Sequence, residues 1–257
     1  MTYIRYPDEE KVNLVFDRFK HRYRIKDEFV PSVTRIIDSI IPKPQLMPWA
    51  AKMGAEWFYE NCLAYDSFHD NDEAIEEMME GIKGAYKVKS QAALKTGSVV
   101  HKYIERVVKW SLNGKSSAPS KPEDEAALNS IKAFGEWVMA NDVTWISSEE
   151  KIYSRTHNYA GTVDAIAEIN EEFCVIDFKT SAQIYKEYYL QIAAYKHAVE
   201  EIYGRNVDCC WILRFDKETG KFQAKEIRED YFPVFEMGLK FQQAYSTMRK
   251  RKCKSKD

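Results

Sequence analysis

Apolar and polar positions follow successive rhythms along this chain of 257 residues. Over the first thirty, aromatics alternate with charges, the two-residue period of a half-exposed strand, and a small β-hairpin is predicted there. Val30-Pro31-Ser32-Val33-Thr34-Arg35-Ile36-Ile37 then starts a short helix, with Ser32 as N-cap and Pro31 before it. Pro42, Pro44 and Pro48 break up the next stretch. From Trp49 to Trp110 apolar residues recur at helical spacing, and the acidic segment from Asp70 to Glu80 reads as a solvated helix face. Asn113 to Pro122, rich in Ser, Pro, Gly and Lys, is a loop, and Glu123 to Asn141 is a further helix.

After Val143 strands take over. Ile146 to Thr156 is strand-like, and Asn158-Tyr159-Ala160-Gly161 reads as a turn. Gly161 to Asn170 alternates, with Val163, Ala165, Ala167 and Ile169 set against Thr162, Asp164, Ile166 and Glu168. The strand Phe173-Cys174-Val175-Ile176-Asp177-Phe178-Lys179 is nearly all apolar until its end, the composition of a central strand. Tyr185 to Tyr203 is a helix that stops at Gly204, a good C-cap. Strands at Val207 to Phe215 and Lys221 to Ile227 follow, and the last helix runs from Tyr231 to Arg249. This order predicts an α/β fold, a central mixed β-sheet flanked by helices with an N-terminal helical region. The expected layout is one domain over 1–257, with a helical region at 43–140, an α/β core at 143–228 and a basic tail at 249–257.

The chain is 45% hydrophobic and 14% aromatic, ample for a packed core, and its 30% charged residues are of both signs. A net charge of -2 gives no general help to nucleic-acid binding, but base does cluster locally. Arg18, Lys20, His21, Arg22, Arg24 and Lys26 surround Phe19 and Tyr23, a mixture that suits phosphate contact with base stacking and equally suits an exposed hairpin. The C-terminal run from Arg249 to Lys256 fits a solvated tail or a phosphate-binding arm. Five cysteines without a CxxC pair, and an N-terminus unlike a secretory or transit segment, lead us to expect reduced thiols in a cytoplasm. No stretch approaches the roughly 18 apolar residues of a membrane span.

Candidate chemistry concentrates at the end of the apolar strand. Asp177 and Lys179 are two apart and leave the same face of a sheet. Asp164 lies one hairpin earlier, so two carboxylates can approach across adjacent antiparallel strands. They repel unless a cation joins them, and hard oxygen ligands suit Mg²⁺ or Mn²⁺. Taken alone, Asp-x-Lys also describes a cross-strand ion pair on a solvated sheet face. His101 and Glu105 share a helix face, as a metal ligand with its neighbour or as a surface hydrogen bond. Gln191 and Tyr195 share a face of the helix after the strand. Glu149 and Glu150, near the start of the first core strand, either approach the site or are exposed acids.

The set His101, Asp164, Asp177-Phe178-Lys179 and Gln191-x-x-x-Tyr195, in this order, resembles the RecB-type branch of the PD-(D/E)XK nucleases. The thirteen-residue step from Asp164 to Asp177 fits, as do Gly-Thr-Val-Asp and Ile-Asp-Phe-Lys-Thr-Ser. Upstream, Pro31-Ser32-Val33-Thr34, Lys43-Pro44-Gln45-Leu46 and Trp49 extend the resemblance to phage and mitochondrial genome-maintenance exonucleases. It is tight over 96–196 and loose over 20–215. It implies a restriction-endonuclease-like core and a divalent-metal-dependent deoxyribonuclease. His101, Asp164, Asp177 and the carbonyl of Phe178 would bind Mg²⁺ or Mn²⁺, and Lys179 would position the attacking water. Gln191, Tyr195, Thr180 and Ser181 would contact DNA or brace the site, with Glu105, Glu149 and Glu150 in reserve. An exonuclease on single-stranded or free-ended DNA is expected, from a phage or bacterium, acting with replication or recombination proteins. The helical region would flank or arch over the cleft. An endonuclease of the same fold and an inactive DNA-binding module are the alternatives. Cys62, Cys174, Cys209, Cys210 and Cys253 lack the spacing of a cluster clasp, so no iron–sulfur cluster is expected, and the vicinal Cys209-Cys210 pair is expected to serve packing.

Overall fold

The computed structural model describes residues 2–17, 19–44, 46–62, 71–114, 117–216 and 221–254, with the side chains of 92–98, 126 and 249–254 set aside. Arg18, Gln45, the side chains of Thr96, Gly97 and Ser98, and the side chains of the basic tail therefore lie outside the described residues. Two compact units emerge, one of Met1–Ile41 with Val99–Asp257 and one of Pro42–Ser98. No helix among the described residues is long and apolar enough to cross a membrane.

The N-terminal alternation builds more than one hairpin. Strands β1 (Thr2–Arg5), β2 (Lys11–Asp17), β3 (Arg22–Ile25) and β4 (Glu28–Val30) form a four-stranded antiparallel meander. Ile4, Tyr6, Leu14, Tyr23 and Val30 make its buried face. Helix α1 (Val33–Ile40) follows, and the Ser32 hydroxyl accepts the Arg35 N–H, as the N-cap reading expects.

In the unit 42–98, α2 (Leu46–Asn61) meets the first part of α3 (Asp72–Asn113). Gly81 lies where a Cβ would stand 2.2 Å from the Trp57 ring, so only glycine admits that indole.

The larger unit is built on a five-stranded sheet of β5 (Val143–Ser154), β6 (Tyr159–Ile169), β7 (Glu172–Lys179), β8 (Cys209–Phe215) and β9 (Phe222–Ile227), in that order. All pairs are antiparallel except β7–β8, which is parallel. A parallel neighbour needs a crossover, and α5 (Lys186–Tyr203) supplies it, closing at Gly204 with φ of 61°. The apolar strand is thus the central one. One face packs on α1, α5 and α6 (Phe232–Lys254) through Ile36, Ile192, Val199 and Phe235. The other packs on α3 and α4 (Glu125–Ala140) through Ile104, Val108, Phe134 and Trp137. Burial on both faces explains why the alternation of β6 does not sort core from solvent: Ile166 is as buried as Val163 and Ala165. The expected turn at 158–161 falls earlier, because Tyr159 to Gly161 already pair with Ser154 to Ile152 inside the ladder.

Cys209 and Cys210 are both buried, on opposite faces of β8. Cys209 meets Cys174 of β7 in register, sulfur to sulfur at 2.7 Å. The cysteines among the described residues are free thiols.

Candidate active site

The ladder between β6 and β7 stops at the pair Ala165–Ile176. Asp164 and Asp177 are the next residues on the two strands, so the sheet forks where the carboxylates begin. The N–H of Phe178, past the last rung, donates to Oδ2 of Asp164 at 2.7 Å instead of to a β6 carbonyl. A buried N–H must be bonded, and here a side chain takes the place of the missing strand.

Asp177 is 1% exposed at its side chain. Its Oδ1 accepts from Nζ of Lys179 at 2.9 Å and from Nε2 of Gln191 at 3.2 Å. Oδ2 stands 2.7 Å from the same ammonium but takes no well-directed hydrogen bond, leaving a buried carboxylate oxygen with unused lone pairs. Lys179 also donates to Oε1 of Gln191 at 3.1 Å, and its Nζ lies 4.8 Å from the centre of the Tyr188 ring. Gln191 donates in turn to the Tyr195 hydroxyl at 2.9 Å. Helix α5 supplies Tyr188, Gln191 and Tyr195 at spacings of three and four, one face aimed at the strand end. Tyr188 was the member that sequence reasoning passed over, although it continues the Gln191–Tyr195 spacing.

On the other side of Asp164 stands α3. Nε2 of His101 is 3.1 Å from Asp164 Oδ2, and Nδ1 is 3.7 Å from Oε1 of Glu149. His101, Glu149 and Asp164 bring one donor atom each to within 4.8 Å of one another. Glu149 reaches this position through an irregular β5. The register slips between Trp145 and Ser147, so Ile146 is an extra residue, and Glu149 itself has φ of 53°. A non-glycine residue in the left-handed region costs energy and needs its surroundings to hold it there. Glu150 points elsewhere, accepting from the Tyr203 hydroxyl at 2.8 Å, and Glu105 pairs with Lys109 along its own helix. Ser181 donates to the carbonyl of Gln183 while Arg214 holds the carbonyl of Ser181, so Ser181 shapes the loop after β7. Thr180 is half-buried beside it.

The charges do not balance easily. Burial pushes the Asp177 carboxyl up to about 6, against the pull of Lys179 and with the push of Asp164. Burial and Asp164 raise Glu149 to about 7. Burial disfavours the imidazolium of His101, yet the hydrogen bond and charge of Asp164, with the charges of Glu149 and Asp177, lift it to about 9. Asp164 is half-buried and partly desolvated, but His101 and Lys179 hold it below the usual carboxylate range. Lys179 is desolvated and still raised, by Asp177 and Asp164. Acids that climb beside bases that also climb mark a site with surplus negative charge. A divalent cation fits that surplus, the orphaned Asp177 oxygen and a donor set of carboxylates with one imidazole.

Among known proteins, no family model matches the chain and no curated protein matches it. Among solved structures, that of SSO0001 aligns over 48% of this chain and 61% of its own length, at 18% identity and a TM-score of 0.30. An alkaline exonuclease, LHK-Exo from Laribacter hongkongensis, aligns over 60% of this chain and 83% of its own, at 14% identity and 0.36. The same enzyme in complex with dAMP aligns over 61% and 86%, at 14% and 0.35.

Proposed function

We propose that this protein is a divalent-metal-dependent deoxyribonuclease of the PD-(D/E)XK type, an exonuclease hydrolysing phosphodiester bonds of single-stranded or free-ended DNA in replication, recombination or repair. The observation that carries the reading is the fork itself: a buried aspartate and a half-buried one, a half-buried lysine bonded to the first, and a histidine bonded to the second. A structural ion pair needs one acid for one base, and this site has three acids around His101 and Lys179.

His101, Asp164, Asp177 and the carbonyl of Phe178 would hold Mg²⁺ or Mn²⁺, with Glu149 as a further ligand. When bound, the ion supplies Lewis-acid stabilisation of charge on the phosphate. The chain's own residues do the rest. Lys179, fixed between Asp177 and Gln191, has one N–H left to present to a water, so that the water faces the phosphorus and the growing charge meets an ammonium. Gln191, held by Tyr195, fixes Lys179 rather than touching the reacting atoms. Before an ion binds, His101 keeps Asp164 oriented and ionised.

Digestion of end-labelled linear DNA, single- and double-stranded, beside a closed circle tests the reading. Linear DNA should be degraded with Mg²⁺ or Mn²⁺ and spared with chelator, and the circle should survive. Cleavage of the circle would make the protein an endonuclease of the same site. No cleavage of any DNA, or full activity in Asp177→Asn, would overturn the catalytic assignment.

A further inference from the structure

A groove of about 550 Å³ runs between the β3–β4 hairpin, the start of α1 and the outer half of α6. Arg22 and Arg35 line it as exposed guanidiniums, and no ion pair holds either among the described residues. Among the described residues no acid lines it, in a chain whose net charge is -2. Phe29, half-exposed, adds a ring with the Arg22 guanidinium 5.2 Å from its centre. Gln242 and Gln243 of α6 complete the wall with amides. The hairpin sorts its residues sharply. Tyr23 turns inward, is 6% exposed and meets Thr162 Oγ1 at 2.7 Å, while its neighbours Arg22 and Arg24 turn outward over Phe29. The basic and aromatic stretch of the sequence therefore does two jobs, and only the arginines and Phe29 belong to the surface.

The groove also leads somewhere. His21 and Ser32 line both it and a smaller cleft of about 180 Å³, whose other end is Thr162, Gly161 and Tyr195. Tyr195 is bonded to Gln191, and Gln191 to Asp177. Resting on the nuclease reading of that site, we propose that the groove is a track for single-stranded DNA beyond the cleavage point, with Arg22 and Arg35 on successive phosphates and Phe29 beside an unpaired base. Free guanidiniums with an aromatic neighbour and uncharged amides suit a sequence-independent strand. Stacking at Phe29 needs an open base face, which a paired base does not offer.

The test is binding of the intact chain, kept in chelator so that nothing is cut, to fluorescent oligodeoxynucleotides of about four and about twelve nucleotides over a range of salt. Arg22→Ala with Arg35→Ala should weaken the longer strand about tenfold and reduce the salt slope by about 1.4, roughly 0.7 for each phosphate no longer neutralised. The shorter strand should bind as before, and hydrolysis of a small phosphodiester at the site should be unchanged. Arg22→Lys with Arg35→Lys should restore the slope. Since both side chains are exposed, the melting midpoint should match wild type and rule out misfolding. An unchanged slope, or equal loss for duplex and single strand, overturns the track. The two readings separate: if wild type cuts no DNA but the slope falls, the track stands and the nuclease fails. If wild type cuts and the double variant binds and cuts long strands normally, the nuclease stands and the track fails.

Discussion

Both ends of β7 gather carboxylates, and they neutralise them differently. At its start Glu172 joins Glu226 and Cys209, with donor atoms within 4.8 Å of one another, as are those of His101, Glu149 and Asp164 towards its far end. There Arg228, itself 55% exposed, settles the charge with two 2.8 Å bonds to Glu172 and a contact with the Oε1 of Glu226, an oxygen that also lacks a directed hydrogen bond. At the far end Asp177 is enclosed and Asp164 nearly so, the half-buried cation Lys179 is shared between Asp177 and Gln191, and one Asp177 oxygen is left without a directed partner. Proximity of ligand atoms thus does not by itself mark a metal centre. Surplus charge that the protein leaves uncompensated, in a place from which water is largely removed, is the stronger mark.

The sharpest way to break this contrast is to remove the bases one at a time. Lys179→Ala should lower the rate of DNA hydrolysis by at least about 100-fold, the scale of losing a preorganised charge partner of the transition state. Arg228→Ala should leave the rate and the melting midpoint essentially unchanged. Equal effects from the two would dissolve the distinction. A smaller effect is expected from Gly161→Ala, whose Cβ would stand 2.7 Å from Cε1 of Tyr195. Moving that ring loosens Gln191 and through it Lys179, so kcat should fall roughly tenfold, with a stability loss of about 1–3 kcal/mol from overpacking. Metal addition should then separate the ends by melting. Mg²⁺ or Mn²⁺ at about 100 times its Kd should stabilise the protein by about 2.7 kcal/mol. Arg228→Ala should keep that gain, and Asp177→Asn should lose most of it. A gain that follows Arg228 instead would place the ion at the wrong end of the strand.

Much of the far end was legible in the sequence. The apolar run into Asp177 announced a central strand, because only burial on both faces allows Phe173 to Ile176 in succession. Asp177 with Lys179, and Gln191 with Tyr195, followed from periods of two and of one helical turn. Glu149 was another matter. Its place depends on the extra residue at Ile146 and on a positive φ, and neither leaves a glycine or an asparagine in the sequence to signal it. The N-terminal meander was underestimated for a related reason. Its strands are three to seven residues long, and Tyr23 looks like a surface aromatic until Thr162, far along the chain, is folded against it. Local pattern fixes which residues share a face. Which face is covered depends on contacts across more than a hundred positions.

The parallel pairing of β7 with β8 also sets a timetable. Cys174 and Cys209, first in the register, are 35 positions apart, with the whole of α5 between them. Closing that distance must precede the reward of pairing, so this contact is among the slow ones. During synthesis, Asp177 and Lys179 leave the ribosome well before Gln191 or the neighbouring strand can enclose them. A fragment that ends short of Phe215 would carry both residues and still lack the enclosure that gives them their character.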